Sequence, residues 1–152
     1  MTAPVAGDAD QEPQRHTGHL LRRAQQVHVA AWTRLVSAEI STVQYAILVV
    51  LDRRGELSQR ELGDEVDLDR STIADLVARM ERHGLVLRHR DPRDGRRKTV
   101  CLTEHGRAER RRLRPLVERV EEELTGSLPG RTRDALRNAL RQLLAHRDPM
   151  PR

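Results

Sequence analysis

Side chains able to hydrogen-bond to bases and phosphates are concentrated along one amphipathic segment, residues 69–82 (DRSTIADLVARMER). Read as a helix, the segment exposes guanidinium, hydroxyl and carboxylate groups, which recognise base edges and grip the phosphate backbone. The exposed set is Arg70, Ser71, Thr72, Asp75 and Arg79. The opposite side has the i, i+3, i+4, i+7 spacing of a buried face: Ile73, Leu76, Val77 and Met80. The pattern predicts a helix buried on one side and available to nucleic acid on the other.

A second, shorter helix is predicted just upstream, at the spacing of a helix-turn-helix. Ser58 and Glu61 have the three-residue spacing of a capping box, which predicts that a helix begins at residue 58. Asp69 is a suitable N-cap for the following helix. Only the tight turn 66–68 separates the two helices, as in helix-turn-helix DNA-binding motifs.

A hairpin with a charged tip follows these two helices. The short apolar runs 85–87 and 99–102 flank a polar loop, Arg90 to Lys98 (RDPRDGRRK), and Glu56-Leu57 is placed to add a third short strand. A helix-turn-helix followed by such a hairpin is a winged helix. We therefore expect residues 41–103 to form a winged helix-turn-helix DNA-binding region.

Long amphipathic helices lie outside this region, and they indicate the fold class and the assembly. The fold is predicted to be mainly α with a small β-wing, in a single domain covering residues 15–147. One small domain cannot cover all the apolar stripes, so we expect residues 15–40 and 104–147 to be dimerisation helices that pack against a second copy. Intramolecular packing in a monomer is the alternative. Residues 1–14 are acidic and contain proline, which predicts a disordered tail.

The distribution of charge favours a polyanionic partner. The formal net charge is +5, but residues 88–114 alone contain 11 Lys/Arg and 4 Asp/Glu, a local net charge of +7. A basic patch on a near-neutral body is typical of proteins that bind nucleic acid. The alternative is an ordinary solvated face. Lys98 is the only lysine, so a general bias towards arginine would inflate the apparent basic signal.

Other function classes find little support in the sequence. The single cysteine, Cys101, allows no internal disulfide and reads as a small apolar core residue. The longest apolar run, Tyr45 to Leu51, is far shorter than the ~20 residues of a membrane span, and no secretory signal is evident, so we expect a cytoplasmic protein without a membrane partner. No Gly-rich phosphate loop, nucleophile elbow or paired metal motif is present, so neither an enzyme nor a cofactor is predicted.

Several of these motifs together resemble the MarR family of bacterial transcriptional regulators. The resemblance spans roughly Leu20 to Leu144, and its most specific part is the wing pattern D-P-x-D-x-R (91–96) followed by L-T-x-x-G (102–106). It implies a two-fold dimer that places two winged helices on one palindromic double-stranded operator. It also implies a small-molecule pocket where the dimerisation and DNA-binding regions meet.

The resemblance also assigns expected roles in the wing. Arg96 would be the wing-tip arginine in the minor groove, where negative potential favours arginine, and Asp94 would orient it through an ion pair. Arg93 and Arg97 are additional basic groups that the family pattern does not require, and from their charge we expect them to contact phosphate. From its position on the helix, Arg79 would clamp the DNA backbone. The complete predicted DNA-binding set is Arg70, Ser71, Thr72, Asp75, Arg79, Arg93, Asp94, Arg96 and Arg97.

An effector site is predicted near the start of the chain. Arg15 and His19 are four residues apart, hence on one helix face, and both can donate to a carboxylate. His28 and Trp32 form a second pair. Since His19 and His28 are about 13.5 Å apart along a helix at 1.5 Å per residue, one small ligand could touch both only if the partner subunit supplied one pair. A cationic fork with a flat indole suits an aromatic carboxylate such as a hydroxybenzoate, which would release the repressor from DNA.

Three alternatives remain open at this point. Arg15 and the histidines can be ordinary surface groups, with Trp32 a core residue. His16-x-x-His19 can be half of a zinc site in a zinc-sensing regulator, although no third and fourth ligands are evident nearby. The protein can also be an architectural DNA-binding protein without an effector.

Overall fold

The computed structural model describes residues 12–146, and within them the mainly helical fold with a small β-wing is confirmed. In chain order the elements are α1 (Glu12–Arg15), α2 (Thr17–Leu35), α3 (Thr42–Arg54), β1 (Glu56–Ser58), α4 (Gln59–Glu65), α5 (Arg70–Arg82), β2 (Val86–Arg90), β3 (Lys98–Leu102), α6 (Glu104–Thr125) and α7 (Gly130–Ala145). Of the predicted disordered tail, residues 1–11 lie outside the described part, and the last three residues belong to α1. No described helix is long and apolar enough to cross a membrane.

The helices around the wing begin where the sequence provides capping side chains. The N-caps of α3, α4, α5 and α6 are Ser41, Ser58, Asp69 and Thr103. Each accepts a hydrogen bond from a backbone N–H of the first helical turn, which would otherwise lack a partner. Of the two candidate caps for α3, Ser41 and Thr42, the structure selects Ser41, and Gln44 completes a capping box with it.

The wing is a three-stranded antiparallel sheet in the order β1-β3-β2. Leu57 of β1 lies opposite Val100 of β3, and Val86 of β2 lies opposite Leu102. All four of these side chains are buried, because they share the sheet face that packs on the helices. The strands extend further than the sequence predicts, so the wing tip is residues 91–97.

An aliphatic core holds α3, α4 and α5 together beneath this sheet. Its most deeply buried members on these helices are Ile47, Leu48, Leu51, Leu62, Ile73, Val77 and Met80. The predicted buried face of α5 is thereby confirmed, with Leu76 partly buried at its edge.

The turn between α4 and α5 is tight: Leu68 N–H donates to the Gly63 carbonyl (2.9 Å), and Asp67 adopts a left-handed φ of 53°. A Cβ added at Gly63 would lie 3.1 Å from the Leu68 carbonyl oxygen, so glycine lets the two helices approach closely there.

Two helices present apolar side chains that nothing in the described chain covers. Helix α7 contains no buried residue, and Leu136, Leu143 and Leu144 are 42–59% exposed. In α2 only Ala31 and Trp32, near its C-terminal end, are buried. Its earlier apolar residues, which are Leu20, Leu21, Val27 and Val29, are all exposed.

The start of α6 explains the L-T-x-x-G pattern in physical terms. Thr103 N–H donates to the Leu85 carbonyl (3.1 Å), and the Thr103 hydroxyl accepts from Gly106 N–H (2.9 Å). The same Leu85 carbonyl lies against Gly106, and a Cβ added at Gly106 would overlap it. The helix can therefore dock on the segment after α5 only with glycine at this position.

We expect Gly106→Ala to lower the free energy of unfolding by about 1–3 kcal/mol, because the added methyl group meets backbone that cannot move aside cheaply. Urea denaturation measures the change. The matched control is Gly18→Ala, also in the first turn of a long helix but with open space around the added Cβ, and it should cause no loss. Equal stability of the Gly106 variant and the wild type would contradict this packing.

Candidate nucleic-acid interface and effector region

Helix α5 presents the side chains that the sequence assigns to DNA. Arg70, Ser71, Asp75 and Arg79 are exposed, and Thr72 is partly buried. The guanidinium groups of Arg70 and Arg79 form no hydrogen bond or ion pair within residues 12–146. Their donors are therefore available to an external acceptor such as a base edge or a phosphate.

The Asp69 carboxylate determines how the hydroxyl groups on α5 can bind. Its Oδ1 accepts from Thr72 N–H (2.9 Å) and from Ser71 Oγ (2.7 Å), and its Oδ2 accepts from Thr72 Oγ1 (2.7 Å). These bonds, the Thr72 hydroxyl bond foremost, hold the pKa of Asp69 well below its usual range. Both hydroxyl hydrogens are thus committed to Asp69. The lone pairs of Ser71 and Thr72 remain as acceptors, which suits donors such as the amino groups of adenine and cytosine.

The far end of α5 is bonded to the first long wing strand. Arg88 Nε and its terminal NH2 group lie 3.0 and 2.6 Å from Glu81 Oε2. This pairing lowers the pKa of Glu81 and raises that of Arg88. Arg88 lies on the same sheet face as Val86, two residues before it, and that face packs against the helix. Helix α5 and the wing are therefore joined by an ion pair as well as by the aliphatic core.

Backbone hydrogen bonds shape the wing tip, and they correct one sequence prediction. Asp91 Oδ1 accepts from Arg93 N–H (2.8 Å), and Asp94 Oδ1 accepts from Arg96 N–H (3.1 Å). In the described chain no ion pair joins the side chains of Asp94 and Arg96, so the expected orienting ion pair is wrong. The physical reason is local, since an aspartate at a turn bonds most easily to the backbone two residues later. Asp94 shapes the loop that carries Arg96 and leaves its guanidinium unpaired.

Arg97 forms an ion pair with a residue that the sequence did not assign to the interface. Its NH2 group lies 2.5 Å from Glu61 Oε2. The same carboxylate accepts from Ser58 N–H (2.8 Å) to complete the capping box of α4. These contacts, led by the Ser58 amide and followed by Arg97, lower the pKa of Glu61 from 4.5 to about 2. The capping spacing could identify Glu61 as a cap, but nothing in the sequence pairs it with the wing.

The predicted pairing of Arg15 with His19 on one helix face is wrong. Arg15 ends α1 and His19 belongs to α2, while His16 between them has an extended conformation (φ −94°, ψ 120°). Because the helix is interrupted, a four-residue separation no longer places the two side chains on one face. His19 Nδ1 instead lies 3.4 Å from the Arg22 guanidinium.

His28 and Trp32 do lie together, one turn apart on α2, with ring centroids 6.1 Å apart. Trp32 is buried, its Nε1–H donates to the Ile40 carbonyl (2.7 Å), and its ring lies 5.7 Å from that of Tyr45 on α3. The indole therefore belongs to the core and connects α2 to the segment leading into α3. Its N–H is already bonded and is not available to a ligand.

Two other kinds of group with possible chemistry within residues 12–146 are the Cys101 thiol and the histidines. Cys101 is partly buried, with its Sγ 3.9 Å from His89 Nδ1, and burial raises the pKa of its thiol. No cluster of three or more His, Cys, Asp or Glu suited to a metal ion is present among residues 12–146. Nothing in the described structure therefore adds ligands to His16 and His19.

This fold, in which the exposed α5 is the second (recognition) helix of the helix-turn-helix and arginines lie at the wing tip, is that of a winged helix-turn-helix DNA-binding protein. A profile of the MarR family matches residues 40–98. The transcriptional repressor NicR of Pseudomonas putida is 33% identical over 147 residues, covering 94% of this chain and 93% of NicR. The chain belongs to the MarR family of transcriptional regulators.

Solved structures give the same result over nearly the whole chain. The PcaV regulator of Streptomyces coelicolor, in complex with its natural ligand, superimposes with a TM-score of 0.82 at 36% identity, covering 96% of this chain and 99% of PcaV. BpsR of Bordetella bronchiseptica, whose DNA binding is regulated by 6-hydroxynicotinic acid, superimposes with a TM-score of 0.81 at 29% identity, covering 88% of this chain and 95% of BpsR.

The lowered pKa of Glu61 predicts how stability depends on pH. A carboxylate whose pKa is lowered in the folded state stabilises it above the unfolded pKa, and this contribution is lost as the pH falls through the folded value. We expect Glu61→Gln to melt slightly below the wild type at pH 7, with a difference that shrinks below pH 4.5 and disappears near pH 2. Thermal unfolding across this range measures it, with Glu118→Gln on the exposed face of α6 as control. A pH-independent difference would contradict the assignment.

Proposed function

We propose that this protein is a homodimeric repressor that binds a palindromic operator and is released from it by a small aromatic carboxylate. The DNA-binding part of this proposal rests on one observation, which is that four arginine side chains have no intramolecular partner among residues 12–146. They are Arg70, Arg79, Arg93 and Arg96. Their guanidinium groups lie on the recognition helix and the wing tip without a hydrogen bond or ion pair inside the described chain. Exposed, unpaired guanidinium groups on one module are what a polyanionic duplex requires.

The uncovered apolar surfaces support a homodimer. The exposed leucines of α7 and of the N-terminal half of α2 would remain in contact with water in a monomer. Apolar side chains exposed in number on one helix are typical of protein–protein interfaces. Pairing two copies through these helices would also fix the separation of their recognition helices, which must be about 34 Å to enter successive major grooves on one face of a duplex.

The effector proposal rests on chemistry at α2 and on the regulation of a relative. Arg15, His19 and His28 offer cationic or hydrogen-bonding groups near the uncovered face, and Trp32 offers an apolar wall beside His28. BpsR responds to 6-hydroxynicotinic acid, an aromatic carboxylate. A hydroxybenzoate would present the same combination of a flat ring and an anion. Since His19 and His28 are nine residues apart on α2, the pocket would combine only one of these histidines with residues of a second copy.

The test of this function is a comparison of specific and random duplexes. We expect selection from random DNA to yield a palindromic sequence that the protein binds at least ~10³-fold more tightly than random duplex at physiological salt. Adding 4-hydroxybenzoate or 6-hydroxynicotinate should release it and raise the melting temperature of the free protein. Binding without sequence preference would favour an architectural protein. Release by zinc and not by the acids would favour a zinc sensor.

Arg96→Ala should weaken binding to the selected operator by ~1–3 kcal/mol, which is about 5- to 150-fold. The physical reason is that its guanidinium is exposed at the wing tip and can enter the narrow, negatively charged minor groove. Fluorescence anisotropy at fixed salt measures the loss. Arg119→Ala removes the same charge from the exposed surface of α6 and should change affinity little. Unchanged affinity of the Arg96 variant would remove this residue from the interface.

A further inference from the structure

We propose that Arg97 is a positioning residue whose side chain docks the wing tip on α4, and that it thereby presents Arg96 to DNA without itself contacting phosphate. The proposal rests on the function proposed above. It reassigns a residue that sequence reasoning grouped with the phosphate contacts.

Both the backbone and the side chain of Arg97 are committed to intramolecular bonds. Its N–H donates to the Asp94 carbonyl (2.9 Å), and its carbonyl accepts from Asp91 N–H (2.7 Å), which together close the tip of the wing. Its guanidinium then crosses to Glu61 on α4, 36 residues earlier in the chain. Because Arg96 is the adjacent residue, the backbone that carries it is fixed relative to the helix-turn-helix.

Glu61 is a rigid anchor for this contact. Its Oε2 atom accepts from Arg97, from Ser58 N–H (2.8 Å) and from Ser58 Oγ (2.9 Å). The carboxylate is therefore held in the first turn of α4 whether or not the wing is docked. Ser58 also lies opposite Thr99, at the end of β3 next to the wing tip, so the anchor is tied to the sheet beside the loop that it holds.

Charge separates a positioning role from a phosphate contact. The Glu61 carboxylate neutralises Arg97, so to offer a phosphate its full charge Arg97 would have to leave Glu61 and expose an uncompensated carboxylate beside the DNA. Arg93 and Arg96, by contrast, have no carboxylate partner for their guanidinium groups in the described chain. Half-exposed ion pairs contribute little to folding stability, so the effect of this pair should appear in wing geometry more than in the melting temperature.

The experiment uses the full-length protein, the selected operator and a salt series. The variants are Glu61→Gln, Arg97→Ala and the double variant, which restores the zero net charge of the pair. Glu61→Gln retains an oxygen acceptor for the capping box, so α4 should remain folded, as circular dichroism would verify. The matched control is the double variant Glu109→Gln, Arg112→Ala, which removes a similar ion pair on α6 (2.9 and 2.8 Å).

We expect each single variant to bind about three- to tenfold more weakly, and the double variant to bind no more weakly than the worse single variant, because the two changes break one interaction. The double variant should keep the wild-type slope of log affinity against log salt, since no phosphate contact is lost. The Glu109/Arg112 control should bind as the wild type does.

Hydrogen exchange on the free protein provides a readout independent of DNA. In the double variant the amides of Asp91 and Arg97, which close the wing tip, should exchange faster than in the wild type. Tighter binding by Glu61→Gln, a salt slope reduced by about 0.9 in the double variant, or unchanged exchange at the tip would each overturn the proposal. If the wild type bound no duplex specifically, the proposed function would fail, while exchange would still show whether the pair holds the wing.

Discussion

The backbone amides in the first turns of α4 and α5 have no partner within their own helices. The need to bond them organises the rest of the interface. Each requires an acceptor, and in both helices a carboxylate supplies or completes the cap. Asp69 meets this need on α5 and at the same time fixes the Ser71 and Thr72 hydroxyls as outward acceptors. On α4 the Ser58 hydroxyl accepts from the Glu61 amide, while the Glu61 carboxylate accepts from Ser58 N–H and also holds Arg97. The groups that begin the helices thus determine which atoms the exposed side of α5 and the wing tip offer.

Local interactions explain why much of the fold could be predicted from the sequence. The caps at Ser58, Asp69 and Thr103 depend on residues within three positions, and the buried face of α5 depends on helical periodicity alone. The sequence could not predict the Arg97–Glu61 pair, because 36 residues separate its partners and its formation depends on how the sheet places the wing tip. The interruption of the helix at His16 was missed as well, since Arg15 and His19 fit a continuous helical repeat.

Helical periodicity also predicts the apolar face of a helix, but it does not predict which element packs against that face. The α5 stripe faces the core of its own chain, whereas that of α7 faces solvent, although both follow the same spacing. The difference arises from topology: α5 packs against α4 and β2, whereas α7 follows α6 and has no buried residue in the described chain. With a single tryptophan and a single tyrosine, the chain has few large apolar side chains with which to bury all of its helices. A second copy supplies the missing burial in the proposed dimer.

This arrangement gives the proposed effector a direct physical connection to the DNA-binding module. Trp32 lies on the helix that carries His28, and its Nε1–H bond to the Ile40 carbonyl reaches the segment immediately before the Ser41 cap of α3. Its ring also lies against Tyr45 within α3. A ligand that shifted α2 beside His28 would therefore displace the entrance of α3, and α3 packs beneath the wing sheet. Since the core is close-packed, such a displacement would be transmitted as a change in the position of the whole winged helix rather than absorbed locally.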